Sequence, residues 1–173
     1  MSNIATILAS ILAPTLATMG VPTSVKLPAG HPVMSRAASC AADVEEVVTL
    51  LPEYQRAVWA PVLYVFALKE GNCYASPPGD NDAGAACGVL QVHEPQKIIA
   101  GATCEKVRAD RKLGLRVGLA VMIQWSKECG SIGGGLSAYA TGSCPKKGWI
   151  LPLVKERLKL AGVDGSMPWA PGA

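Results

Sequence analysis

Apolar residues are unevenly distributed along the chain, and their spacing divides it into segments. Ile4 to Met19 is rich in Ala, Ile and Leu, and the residues after it carry Pro22, Pro28, Gly30 and Pro32 without a sustained period. This pattern predicts an apolar arm followed by an extended Pro/Gly linker that reaches Ser39. Val44, Val47, Val48 and Leu51 then recur at helical spacing, with Asp43 placed to cap that helix. After Pro52 a second helix is predicted over about 53–68, with Pro61 as a kink or restart point.

The stretch from Gly71 to Gly88 contains Pro77, Pro78, Gly79, Asn81 and Gly84, which reads as a loop or short hairpin leading to a brief apolar segment, Val89 to Val92. Asp110 caps the longest predicted helix. Its broad face of Leu113, Val117, Leu119, Ala120, Val121, Ile123 and Trp125 marks it as the central core helix. The run 130–135 breaks the chain, Leu136 to Ala140 is a short helical stretch, and Trp149 to Leu160 is a last amphipathic element ended by Gly162. The sum is a mainly α chain with little strand. A folded domain over 40–162 is flanked by the arm and linker, 1–39, and by a Pro/Gly-rich tail, 163–173.

Composition narrows the classes. At 173 residues, 50% apolar and 17% charged, the chain can build one real core. The net charge is only +3, and Lys106, Arg108, Arg111, Lys112 and Arg116 are interleaved with apolar residues. No nucleic-acid tract is present, and a single Phe offers no stacking platform. The arm has no Lys or Arg before Lys26, so it lacks the charged start of a secretion signal. Pro14 breaks it short of the roughly 20 apolar residues that a membrane span requires. It reads as an uncleaved arm that docks on a partner in a virion or envelope assembly, with a secretion signal as the alternative.

The cysteines at 40, 73, 87, 104, 129 and 144 form an even set without a Cys-x-x-Cys pair. Zinc knuckles are therefore disfavoured, and up to three disulfides in an oxidising compartment are expected, with any of about fifteen connectivities. The alternative is a set of buried free thiols. Cys87 and His93 are the one thiol and base close enough in sequence for a cysteine nucleophile. His31 and His93 lie too far apart for a zinc-hydrolase motif, and Gly133, Gly134 and Gly135 lack the Lys-Ser/Thr of a phosphate loop, so neither metal nor cofactor is implied.

The position of Glu70 stands out. It closes the apolar run Val62 to Leu68 and precedes Gly71. A carboxylate there faces the negative end of the helix dipole beside desolvating neighbours, and both effects favour the protonated form. A protonated carboxyl is what a general acid for glycosidic cleavage needs.

Three segments then follow in a telling order: Glu70-Gly71, Gly88-Val89-Leu90-Gln91-Val92, and Leu136-Ser137-Ala138-Tyr139-Ala140-Thr141-Gly142. In order and spacing they resemble the lysozyme-like transglycosylases, over about 60–160. Gly118 matches the packing glycine of that family's long helix. Gly71, Ala140 and Gly114 stand where the family often has Ser, Asn and Asn. The resemblance implies an α+β lysozyme-like fold, a helical bundle with a small loop or hairpin region lining a cleft. It implies Glu70 as general acid and then base, and Gln91 and Tyr139 as substrate-binding or orienting groups. Val89, Ser76 and Thr141 complete the implied sugar-contacting set.

The activity implied is cleavage of the β-1,4 bond between N-acetylmuramic acid and N-acetylglucosamine in peptidoglycan glycan strands. The expected location is extracytoplasmic, in the periplasm or cell wall, or in a bacteriophage particle. Asp80 to Gly88 also looks like the acidic, Cys-Gly-containing loop of invertebrate-type lysozymes. Asp82, less so Asp80, would then supply the second carboxylate of a hydrolase. The same residues are also good turn formers needing no function. A third reading is an inactive lysozyme-like component of a virion or secretion assembly.

Overall fold

The computed structural model describes residues 32–77 and 86–169. The apolar arm, the linker up to residue 31, Asp80, Asp82 and residues 170–173 lie outside the described residues. Six helices and a two-stranded sheet follow in order: α1 (Pro32–Val48), α2 (Glu53–Gly71), β1 (Ala86–Cys87), β2 (Val92–His93), a 3-10 turn (Pro95–Lys97), α3 (Cys104–Ala109), α4 (Arg111–Cys129), α5 (Ile132–Thr141) and α6 (Pro152–Ala161). The fold is mainly α. Its sheet is an antiparallel pair with Ala86 opposite His93 and Cys87 opposite Val92.

The extended linker expected up to Ser39 is overturned over 32–39, where α1 is already helical. A proline is tolerated at a first helical position because its missing N–H has no partner to lose there. Asp43 consequently lies within α1 and caps nothing. Its carboxylate accepts from Arg111 Nε at 2.7 Å, and the same guanidinium donates to Cys73 O at 3.1 Å and Ser39 Oγ at 2.6 Å. One arginine of α4 thereby ties together α1 and the loop leaving α2.

The long helix α4 packs against α1, α2, α3, α5 and β2, the central place expected of it, and the second half of α2 is buried on every face. All residues from Trp59 to Leu68 are buried. On α4 the buried set is Gly114, Leu115, Val117, Gly118, Leu119, Met122 and Ser126, and Arg116 and Gln124 face outward. The continuous apolar composition of α2 is what a helix through the middle of a bundle requires. Pro61 sits inside it without ending it. Asp110 caps α4 as expected, its Oδ1 accepting from Leu113 N at 3.2 Å. The expected break at 130–135 shrinks to Gly130, at φ 76°, and the capping residue Ser131. The three glycines after them are helical and buried in α5.

All six cysteines are paired: Cys40–Cys73, Cys87–Cys104 and Cys129–Cys144. Free thiols, and with them a Cys87 nucleophile, are excluded. The bridges join α1 to the exit of α2, β1 to α3, and α4 to the loop after α5. In the chain-entropy picture the 33-residue separation of the first constrains the unfolded chain by about 4 kcal/mol, the shorter two by about 3 kcal/mol each. Among the described residues no helix is long and apolar enough to cross a membrane.

Tyr64 lies in the middle of α2 with its hydroxyl donating to Ala37 O at 3.3 Å, and burial pushes its phenol up to about 12. A group that holds its proton more tightly when folded contributes stability that is complete below its unfolded value, about 10, and is lost as pH rises through the folded one. Denaturant unfolding followed from pH 9 to 12 is therefore expected to show stability falling only above about pH 10. Tyr64→Phe, which cannot ionise, is expected to flatten that fall.

Candidate functional site

Glu70 occupies the last turn of α2, where the helix emerges from the core. Asn72 caps it in the left-handed conformation at φ 48°, and its N–H and that of Cys73 return to carbonyls of Leu68 and Ala67. The disulfide to Cys40 then fixes the exit. The Glu70 side chain is 26% exposed, so solvent and solutes reach the carboxylate.

Three other side chains gather around it. Phe66, one turn earlier on α2, stacks edge-on with Tyr139 of α5 at a centroid separation of 6.4 Å. The Arg157 guanidinium of α6 lies over the Phe66 ring, 4.8 Å from its centroid, and donates from Nη1 to Glu70 Oε1. The Tyr139 hydroxyl donates to Leu90 O. Burial pushes that phenol well above its ordinary value, the nearby Glu70 carboxylate adds to the rise, and Arg157 partly offsets it. Tyr139 is thus a neutral donor that feels both charges.

The turn Gly88-Val89-Leu90-Gln91 between the two strands is seated by close backbone packing. A Cβ on Gly71 would meet Val89 O at 2.6 Å and Val89 Cα at 3.1 Å, so only glycine fits directly after Glu70. On the long helix, a Cβ at Gly118 would overlap the Leu90 side chain. The turn is held between α2 and α4, and its Leu90 carbonyl receives Tyr139 from α5.

The structure brings Glu70, Tyr139 and the turn of Val89 and Gln91 into one region. It gives each a specific occupation. Gln91, at φ 52°, donates from Nε2 to Gly88 O at 2.8 Å, and its side chain is half-buried. Val89 is fully buried, with its carbonyl rather than its side chain toward Gly71. Thr141 is exposed, and its hydroxyl donates to Ser137 O at 2.9 Å at the end of α5. Ser76 is exposed in the loop that leads to the undescribed residues, and no hydrogen bond joins it or Thr141 to Glu70. Asp82 lies outside the described residues.

Two contributors were not anticipated from sequence. Arg157 stands in α6 among Val154, Leu158 and Ala161, which are the buried residues of that helix. A charged residue on the apolar stripe of an otherwise amphipathic helix is the signal that marks it. Ser137, buried on α5, donates to Gly133 O at 2.8 Å and accepts from Leu151 N at 3.0 Å. Leu151 caps the start of α6, so Ser137 sets the helix carrying Arg157 against the helix carrying Tyr139. Among the described residues no group of three or more His, Cys, Asp or Glu side chains is arranged to hold a metal.

The Gly71 contact yields a direct test. Gly71→Ala is expected to displace the Gly88–Gln91 turn and lower stability by about 1–3 kcal/mol, the usual cost of overpacking, read as a fall in the denaturant midpoint. No protein-family model, no curated protein and no solved structure matches this chain.

Proposed function

We propose that this protein cleaves the β-1,4 bond between N-acetylmuramic acid and N-acetylglucosamine in peptidoglycan, as a lytic transglycosylase with Glu70 as general acid and then base. The observation that carries this reading is the meeting of a solvent-reachable carboxylate at the end of a buried helix with the Gly88–Gln91 turn and Tyr139. These groups come from three segments far apart in sequence.

In the first half-reaction the Glu70 carboxyl gives its proton to the glycosidic oxygen. The bond from C1 of the muramic acid to that oxygen breaks, and the oxygen leaves as a hydroxyl of N-acetylglucosamine. In the second, the Glu70 carboxylate takes the proton of the sugar's own C6 hydroxyl as that oxygen bonds to C1. A 1,6-anhydro ring closes and the carboxyl regains its proton, so no water is consumed and one carboxylate suffices. Tyr139 steadies the Gly88–Gln91 turn through Leu90 O. Gln91 holds the same turn by donating to Gly88 O.

Three disulfides are compatible with an extracytoplasmic location. A protein that meets peptidoglycan in the cell envelope, or that is carried to it in a virus particle, suits both the chemistry and the bridges.

Digestion of purified peptidoglycan with mass analysis of the fragments tests the reading. Wild type is expected to release 1,6-anhydro ends. Glu70→Gln, which keeps an acceptor for Arg157, is expected to fall by at least about a hundredfold. Reducing ends would assign a hydrolase and call for a second carboxylate such as Asp82. Absence of release by wild type, or full activity of Glu70→Gln, would contradict the reading.

A further inference from the structure

We propose that Arg157 is a positioning residue, holding the ionised Glu70 carboxylate in place for the second proton transfer, in which it acts as base; this rests on the reading of Glu70 as acid and base. The side chain is 6% exposed and, among the described residues, donates to one acceptor, Glu70 Oε1. Its Nε is buried without a hydrogen-bond partner among the described residues. Its guanidinium lies over Phe66, which also packs against Tyr139.

The arginines that hold this fold together look different. Arg111 spreads its fork over Asp43, Cys73 O and Ser39, and Arg56 divides its own between Leu51 O and Thr49 O, at 2.8 and 3.0 Å, to close the turn between α1 and α2. A buried guanidinium normally finds acceptors for its donors, because an unpaired buried donor is costly. Arg157 leaves Nε unpaired and reaches Glu70 alone. Such a local rule is broken most often at functional sites.

The placement explains what the arginine does. Lys69 and Glu70 of α2 face Glu156 and Arg157 of α6 in a crosswise pair of ion pairs, Lys69 to Glu156 at 3.4 Å and Glu70 to Arg157. Glu156 is half-exposed, so the outer pair is weak. The inner one selects the direction of the carboxylate. The unpaired Nε has no appreciable exposure and cannot take a substrate atom where it stands, so Arg157 acts through Glu70. When Glu70 carries its proton the ion pair is interrupted. When the proton has gone to the leaving oxygen, Arg157 re-forms the pair and returns the carboxylate to the place where it receives the C6 proton.

Steady-state kinetics on a soluble N-acetylmuramic acid–N-acetylglucosamine oligomer, with near-UV circular dichroism as the fold control, test the assignment. Arg157→Met is expected to lower kcat by about 10- to 100-fold, the scale of a misplaced catalytic group, with KM changed less than about twofold. Arg157→Lys, which keeps the charge and one N–H bond, is expected to recover most of kcat. If Arg157→Met does not fold, Arg157→Gln, which keeps a donor and loses the charge, takes its place with the same expected direction. An unchanged kcat in the neutral variant, a rise in KM with kcat held, or equal losses in both variants that track a lower Tm would each overturn the proposal. If wild type leaves the oligomer and peptidoglycan intact, the reading of Glu70 fails first and this inference with it. Wild-type cleavage with an indifferent Arg157 overturns the inference alone.

Discussion

The burial of α2 on all sides is the constraint on which the rest of the structure depends. From Trp59 to Leu68 no residue of that helix reaches solvent, so its axis cannot shift without opening the core. Glu70 lies two residues past this run and directly before the buried Gly71, and its place is fixed by packing that has nothing to do with its charge. The left-handed Asn72 and the Cys40–Cys73 bridge stop the helix there. The Val89 carbonyl, pressed against Gly71, brings the turn between the strands to the same spot. A rigid helix end is a better platform for a reactive carboxylate than a loop, because its geometry is held by the core.

Electrostatics refine this position. A buried ion pair is weak evidence for stability, since desolvating both partners offsets much of their attraction. The Glu70–Arg157 pair is better understood by what it orders. Arg157 and Tyr139 come from neighbouring helices that Ser137 ties together, and both lie against Phe66. The carboxylate is therefore paired with a cation and lies within electrostatic reach of a neutral phenol. Arg111 performs the contrasting task, with every part of its fork engaged in holding α1, α4 and the loop after α2 in register.

Much of this was legible in the sequence, for identifiable reasons. The Asp110 cap, the short apolar segment near Val89, the helix from Glu53 and its end near Glu70, and Gly162 as a terminator rest on local signals, and local signals survive folding. The start of α1 was missed because Pro32 reads equally as a linker residue and as a first helical position. The broad apolar stripe on 111–129 marks a helix that does lie among α1, α2, α3 and α5, whereas the full burial of 59–68 follows from a stretch with no polar face at all. Glycines at 133–135 were taken as a break, whereas they are buried within α5. At the site, Glu70 and Tyr139 were named from order and spacing. Arg157 was not, since its partner is 87 residues away and only the apolar stripe around it marks the position.

The central claim is geometric: a sugar bound over the Gly88–Gln91 turn that Tyr139 holds presents its glycosidic oxygen to Glu70. A crystal structure of Glu70→Gln with an N-acetylmuramic acid–N-acetylglucosamine oligomer measures this directly. The account predicts the glycosidic oxygen within about 3 Å of the residue 70 amide, the hydrogen-bonding reach required of a general acid. An oligomer bound elsewhere on the protein, or one that leaves that oxygen beyond reach of residue 70, would contradict it.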